Sequence, residues 1–302
     1  MVDPARSEVL SLIGLDAIQS YVAAKVVRGP RVRQGNVLGE RIELWTDGGD
    51  VVPCLFLKPI DDVHQVGAVV AVHQHAGNYA LGKSELAGLE GDPQMAFAVE
   101  LAESGLPTLV PDLLGFEERQ RDAIDPQLAE NRDAEHLLAG GSTLQGVHTR
   151  DIAMATSWLE ARDDVRGPLG IIGHSLGGQV GLFNLACDPR LRAGVLSCGI
   201  GTLESFEREG ISHNPAWFVP ELRKAGDVHL VVQAIENQRV LVVAGQDDPL
   251  FPFQDVQGLV SSFREGVADF VPFEGGHAFP AVQRRHAISW LKSRLTEARS
   301  TP

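Results

Sequence analysis

Eight short apolar runs, separated by longer helical patterns, constrain the fold of this chain more than any other feature. The later runs, such as PLGIIGH and RVLVVAG, are continuous rather than alternating, which is typical of strands covered on both faces. Strands that alternate with helices connect through right-handed crossovers, so we expect an α/β fold with a doubly wound, mostly parallel, eight-stranded sheet. The runs lie at residues 39–46, 51–59, 67–73, 106–112, 168–174, 193–199, 239–245 and 267–273.

The same pattern predicts a single domain over residues 1–302, without internal repeats. Its N-terminal segment, 1–37, precedes the first run and is expected to be helical over about residues 6–27. Two stretches, 113–145 and 200–236, carry little strand pattern. Because ligands bind outside the carboxyl ends of parallel strands, both stretches are placed to form pocket walls. We expect residues 200–236, which precede the seventh run, to form a short lid.

The net charge of this chain disfavours some classes of binding partner. Lys and Arg total 26 against 40 Asp and Glu, a formal net charge of -14. Such a surface repels nucleic acid and anionic lipid, and no apolar run approaches the roughly 20 residues that span a bilayer. The sequence MVDPARSEVL does not resemble a signal peptide. Three scattered cysteines, Cys54, Cys187 and Cys198, are expected to be buried thiols. We therefore expect a cytoplasmic protein.

A candidate nucleophile follows the run PLGIIGH. There the chain reads GHSLGG, residues 173–178, and a helical pattern comes next. This is a Gly-x-Ser-x-Gly motif in a strand–turn–helix setting, in which strained backbone angles expose the serine oxygen. Gly173 and Gly177 let the strand and the helix approach closely. The pattern favours Ser175 as a nucleophile over a chance glycine-rich turn.

A serine nucleophile needs a base, and the base needs a carboxylate to orient it. After the run VLVVA the chain reads GQDDPLFP, which offers Asp247 and Asp248. Either carboxylate could instead cap the following helix. After the run ADFVPF the chain reads EGGHAFP, which places His277 on a glycine-rich loop. The order Ser, Asp, His is the one found with this type of serine turn.

The motifs GHSLGG, GQDDPLFP and GGHAFP resemble, in this order, those of the α/β-hydrolase superfamily. The chain is most similar to its bacterial dienelactone-hydrolase-like and acetyl-xylan-esterase-like branch. The acid motif of that branch is Gly-x-x-Asp-x-x-x-Pro, and Gly245, Asp248 and Pro252 fall on it. The resemblance therefore implies an α/β-hydrolase fold and a triad of Ser175, Asp248 and His277.

The stretch VVAVHQHAGN at the end of the third run has two interpretations. The pair His73 and His75 has the spacing of two zinc ligands, but a third ligand is not evident nearby. By resemblance, this stretch is instead the oxyanion loop. The backbone N–H groups of His75 and Leu176 would then hold the oxyanion, and His73 would be a structural histidine. We expect neither a metal nor another cofactor.

Five side chains are candidates for substrate binding. Gln74 replaces a common glycine of the oxyanion loop and could narrow the pocket or hydrogen-bond substrate. Phe116 and Arg119 follow the fourth run, and Arg119 could bind a substrate carboxylate or form an internal salt bridge. His213 and Trp217 lie in the stretch 200–236, where they could line the pocket or belong to a structural lid.

These residues together predict a serine-dependent hydrolase of a small-molecule carboxylic ester, acting through an acyl-enzyme. A thioester, a lactone or a small peptide could replace the ester, since fold and triad do not name the substrate. The alternative from another class is a non-catalytic protein that uses the pocket only to bind. The apolar N-terminal residues could cover the core or the partner in a homodimer.

Overall fold

Nine strands, one more than predicted, form a single sheet in the computed structural model, which describes residues 3–60, 67–121 and 124–296. The ends of the predicted domain, 1–2 and 297–302, lie outside the described residues. The strands are β1 (Lys25–Gln34), β2 (Val37–Trp45), β3 (Val51–Pro59), β4 (Ala68–Val72), β5 (Thr108–Pro111), β6 (Leu169–His174), β7 (Leu191–Ser197), β8 (Arg239–Gly245) and β9 (Ala268–Phe273).

The strand order is β1-β2-β3-β5-β4-β6-β7-β8-β9. The first three strands pair antiparallel, and the six from β5 to β9 in this order pair parallel. This confirms the expectation of a mostly parallel sheet. The α-helices are α1 (Pro4–Leu12), α2 (Lys83–Leu86), α3 (Phe97–Glu103), α4 (Pro126–Ala139), α5 (Leu144–Glu160), α6 (Leu176–Cys187), α7 (Leu203–Glu209), α8 (Leu222–Ala225), α9 (Val228–Gln233), α10 (Phe253–Ser261) and α11 (Ala281–Thr296).

Helices cover both faces of the sheet, which is why the central strands read as continuous apolar runs. Leu196 of β7 packs into the core that includes α5, α6 and α9, whereas its neighbour Val195 packs into the core of α3 and α11. Successive side chains of a strand thus enter opposite layers. The three thiols, Cys54, Cys187 and Cys198, are buried and unpaired, as expected.

The N-terminal segment is less helical than predicted. Helix α1 ends at Leu12, a short 3-10 helix spans Ile18–Ser20, and β1 occupies part of the range expected to be helical. Strand β1 is almost entirely exposed at the sheet edge, and its register shifts between Arg28 and Arg31. Strand β1 is polar, contains Pro30 and lies at an irregular edge, so its sequence lacks the alternation of apolar residues that would predict a strand.

The two stretches without strand pattern lie beside the carboxyl ends of the parallel strands. Helix α4 belongs to the first, and α7, α8 and α9 belong to the second. Residues of both stretches line the cavity described below. Within the described ranges, no helix is both long and apolar enough to cross a membrane.

Candidate active site

Ser175 occupies the tight turn between β6 and α6. Its backbone has φ 55° and ψ -121°, a positive-φ conformation that costs a non-glycine residue free energy. The glycines around it permit the turn. A Cβ on Gly173 would lie 2.1 Å from the carbonyl carbon of Gly177, and a Cβ on Gly177 would lie 2.1 Å from the oxygen of Val72. The turn therefore fixes Ser175 at the carboxyl end of the sheet.

His277 is held by Asp248. These residues follow β9 and β8, and His277 Nδ1 lies 2.9 Å from Asp248 Oδ2. Asp248 Oδ1 accepts hydrogen bonds from the amides of Leu250 and Phe251, at 2.9 and 3.2 Å. Burial alone would raise the pKa of Asp248, but His277 and the two amides outweigh it and lower that pKa. Because an ionised carboxylate only accepts, Nδ1 of His277 carries the proton and Nε2 is left as the base.

The neighbouring carboxylate, Asp247, has a different environment. Its side chain is exposed, whereas Asp248 is 7% exposed. The amide of Asp247 donates to the carbonyl of Gly275, at 2.9 Å. The carboxylate that contacts His277 is thus the one at the spacing of the acid motif.

Ser175 and His277 line the same cavity of about 720 Å³. The loop that begins at His75 forms one wall, helix α4 forms the second, and residues 212–215 with Phe218 form the third. Cavities of this size take small organic ligands. The serine and the imidazole therefore open onto a space that a substrate could occupy.

His73 is buried beneath the loop that follows β4. Its Nε2 accepts a hydrogen bond from the amide of Leu113 at 3.0 Å, and its Nδ1–H donates to the carbonyl of Gln74 at 2.9 Å. Burial lowers the pKa of His73 to about 4, so the ring is neutral at pH 7. This confirms the expectation of a structural histidine that is hydrogen bonded under the loop.

The imidazole of His75 braces the same loop. Its Nδ1 accepts the amide N–H of Gly77 at 3.0 Å, so the proton is on Nε2, which donates to Glu130 Oε2 at 3.1 Å. The hydroxyl of Tyr79 donates to the same oxygen at 2.8 Å. Ala76 and Gly77 have positive φ, 48° and 66°. Glu130, from α4, and Tyr79, from the loop itself, thus stabilise this turn. No sequence motif indicated either residue.

Neither His73 nor His75 belongs to a cluster of possible metal ligands among the described residues. One cluster consists of Asp112, Glu117 and Glu118, and the Nζ of Lys83 lies 2.6, 2.5 and 2.7 Å from their oxygens. Burial would lower the pKa of Lys83, but these carboxylates outweigh it and raise that pKa. The other cluster adds Cys198 to the Asp248–His277 pair. Among the described residues, no third possible metal ligand lies with His73 and His75.

The cavity lining lacks four of the five candidate substrate-binding residues, which are Gln74, Phe116, Arg119 and Trp217. Gln74 donates to Glu85 Oε2 at 3.1 Å, and neither of these residues lines the cavity. Phe116 is fully buried and stacks on Tyr79. Arg119 donates to Asp151 Oδ2 at 2.7 Å, so it forms the internal salt bridge rather than an open clamp. The expected substrate contacts of Gln74 and Phe116 are therefore corrected to support of the surrounding loops, and Arg119 forms the salt bridge that was one of its two alternatives.

The stretch 200–236 contributes His213 but not Trp217 to the cavity lining. His213 Nε2–H donates to the carbonyl of Leu250 at 3.0 Å, and burial lowers the pKa of His213 to about 4. Trp217 is fully buried against Phe206, which corrects its expected contact with substrate. Phe218 lines the cavity instead and is 58% exposed.

His174 is a neighbour of the catalytic candidate His277 that the motif did not indicate. Their ring centroids lie 4.9 Å apart, and His174 Nδ1 lies 3.0 Å from Ser197 Oγ. Burial lowers the pKa of His174 to about 3. A neutral ring therefore packs against His277 and adds no positive charge. The Gly-x-Ser-x-Gly pattern leaves this position open, so the sequence carried no signal for it.

The mostly parallel sheet, the serine turn after β6 and the Asp–His pair after β8 and β9 define the class of α/β-hydrolases. The model of the dienelactone hydrolase family matches residues 83–299. The chain belongs to that family, which confirms the resemblance of its motifs.

Comparisons with individual proteins agree with this fold. YtaP from Bacillus subtilis (strain 168) is 27% identical over 281 residues, which cover 87% of this chain and 90% of YtaP. A cold-adapted esterase from an Arctic intertidal metagenomic library has a TM-score of 0.63 and 19% identity, and covers 88% of this chain and 98% of its own. Acetyl xylan esterase 1 from Thermoanaerobacterium has a TM-score of 0.68 and 13% identity, with 97% and 93% covered. At such identities the structural likeness shows the fold.

Proposed function

We propose that this protein hydrolyses a carboxylic ester through Ser175, His277 and Asp248. The observation that carries the proposal is that Ser175, in its strained turn, and His277, bonded to Asp248, line one cavity. Membership of the dienelactone hydrolase family supports hydrolysis. The cold-adapted esterase and acetyl xylan esterase 1, which share this fold, support an ester as the substrate.

The reaction follows from the protonation states of the three side chains. His277 Nε2 takes the proton of Ser175 Oγ as that oxygen attacks the ester carbonyl. Asp248 stabilises the imidazolium that forms. When the tetrahedral intermediate collapses, the C–O bond to the alcohol breaks and His277 returns its proton to the leaving oxygen. Water, activated by His277, then attacks the acyl-enzyme and releases the acid and Ser175.

The amides of His75 and Leu176 are the proposed oxyanion donors. Leu176 is the first residue of α6, where amides lack partners within the helix. None of the described residues accepts a hydrogen bond from the His75 amide. Each donor would contribute about 3 kcal/mol to transition-state stabilisation. The brace of Glu130 on the His75 imidazole supports a preorganised loop.

Hydrolysis of 4-nitrophenyl butyrate by the full chain and by Ser175→Ala tests the proposal. The variant should lose activity by about 10⁴-fold or more, because the attacking oxygen is gone. Thermal unfolding followed by circular dichroism should show that the variant remains folded. Normal turnover by the folded variant would rule out Ser175 as the nucleophile. An inactive parent that still binds esters would favour the non-catalytic alternative.

A further inference from the structure

The cavity that holds Ser175 carries negative charge without a balancing lysine or arginine. Two carboxylates of α4, Glu130 and Glu135, line it, and none of the described lining residues is Lys or Arg. The chain as a whole has a formal net charge of -14. A cleft lined by one sign of charge concentrates ligands of the opposite sign and repels those of the same sign.

Glu130 is a buried carboxylate with spare acceptor capacity. It is 4% exposed, and its Oε2 accepts hydrogen bonds from both His75 and Tyr79. Its Oε1 has no partner among the described residues. An unpaired buried carboxylate oxygen is costly. A positive group in the cavity would lower that cost.

Three histidines line the cavity, and one of them, His277, is bonded to its own carboxylate, Asp248. The other two do not offset the carboxylates of α4. His75 accepts the Gly77 amide on Nδ1, which requires the neutral ring. His213 is also neutral at pH 7, because burial lowers its pKa to about 4. Glu135 is exposed at the cavity, and no described residue forms an ion pair with it. Neither Glu130 nor Glu135 therefore has a lysine or arginine partner among the described residues.

Arg119, for which binding of a substrate carboxylate was one of two alternatives, is not available. Its side chain is 6% exposed and its guanidinium donates to Asp151 and to the carbonyl of Asp112. The lining instead includes two aromatic residues, Tyr79 and Phe218, and Phe218 is 58% exposed. Aromatic faces attract cations, and quaternary ammonium groups in particular.

We propose that this cavity prefers esters that carry a cationic group, such as a quaternary ammonium, and rejects esters that carry a carboxylate or sulfonate. Glu130 and Glu135 set this preference. The inference rests on the proposed ester hydrolase function, because it concerns the substrate that reaches Ser175.

Two sets of isosteric esters test the preference on the alcohol side and on the acyl side. The first contains the butyrate esters of choline, of 3,3-dimethylbutanol and of 3-hydroxypropanesulfonate. The second contains 4-nitrophenyl esters of 4-(trimethylammonio)butanoate, of 5,5-dimethylhexanoate and of glutarate. The kcat/KM of the full chain is measured by acid release at about pH 7.5, in about 20 mM and about 500 mM NaCl. Spontaneous hydrolysis is subtracted for each ester.

In at least one set, the cationic ester should exceed the anionic ester by about tenfold in kcat/KM at low salt, with the neutral ester between them. High salt should reduce the ratio to about threefold. Glu135→Lys should lower the low-salt ratio by about threefold or more. Glu265→Lys is the matched control, because it makes the same charge change on an exposed loop away from the cavity. It should leave the ratio unchanged.

The outcomes separate the preference from the function. Turnover of the neutral esters with equal or faster turnover of the anionic ones would overturn the preference and leave the esterase proposal standing. An equal effect of Glu135→Lys and Glu265→Lys would assign the preference to overall charge and overturn the role of the cavity. Failure of the parent to hydrolyse any ester, with no labelling by a fluorophosphonate, would overturn the proposed function and the preference with it.

Discussion

Replacement of His148 by leucine should stabilise the protein, and most strongly in acid. His148 lies inside α5, fully buried, and neither of its ring nitrogens has a hydrogen-bond partner among the described residues. Burial lowers its pKa from 6.5 to about 3. The folded protein therefore holds a neutral ring at pH 5, whereas the unfolded chain protonates that ring below about pH 6.5.

The magnitude follows from this difference in proton binding. Between about pH 6.5 and pH 3 the unfolded state binds more protons than the folded state, so stability falls as the pH falls. At pH 5, which is about 1.5 units below the pKa of the unfolded-state histidine, His148 lowers the free energy of unfolding by about 2 kcal/mol. The two unpaired buried nitrogens lower the free energy of unfolding by a further ~1 to 3 kcal/mol at any pH. His148→Leu should thus raise the free energy of unfolding by about 1 to 3 kcal/mol near pH 7.5 and by about 3 to 5 kcal/mol at pH 5.

Urea unfolding of the parent and the variant at these two pH values measures both quantities. His286→Leu is the control, because His286 is an exposed histidine of α11. The control should change the free energy of unfolding by less than about 0.5 kcal/mol at either pH. A His148→Leu variant that is less stable than the parent, or whose gain does not grow in acid, would refute the reasoning.

Three further substitutions test the assigned contacts. Asp248→Asn should lower kcat by about 10³- to 10⁴-fold, because the carboxylate that holds His277 is lost, and Asp247→Asn should change it less than about threefold; the reverse order in ester hydrolysis assays would show that the acid motif is misassigned. His75→Ala keeps the proposed oxyanion amide but removes the brace, so kcat should fall by about tenfold or less with little change in KM; a loss near 10³-fold in steady-state assays would contradict a backbone role. Arg119→Met should lower the free energy of unfolding by about 3 kcal/mol, because a buried ion pair is broken; unchanged urea unfolding with a raised KM for carboxylate-bearing esters would instead revive the substrate clamp.

The central parallel strands could be predicted from the sequence because they are buried on both faces and therefore continuously apolar. Strand β8, for example, spans the predicted residues 239–245 and is buried at every residue after Arg239. Strand β1 could not be predicted in the same way. Its side chains are exposed, Gly29 and Pro30 interrupt it, and only pairing with β2 makes it a strand. That pairing is a tertiary contact, which local pattern does not encode.

The same distinction separates the site residues that could be predicted from those that could not. Ser175, Asp248 and His277 each follow a strand within a short motif, so local sequence was enough to propose them. The orientation of the other side chains depends on distant partners. Gln74 and Arg119 bind Glu85 and Asp151, which are 11 and 32 residues away. Glu130 reaches His75 across 55 residues. No spacing rule connects such pairs, so their roles emerged only from the fold.

The central claim is that Ser175 is the nucleophile, and covalent trapping tests it most directly. The full chain is treated with a fluorophosphonate, digested, and mapped by tandem mass spectrometry. We expect a single phosphonyl adduct on Ser175. Ser175→Ala should abolish it and Asp248→Asn should slow its formation, because the attacking oxygen needs His277 in place. An adduct on another residue, or an active parent that resists labelling, would contradict the account.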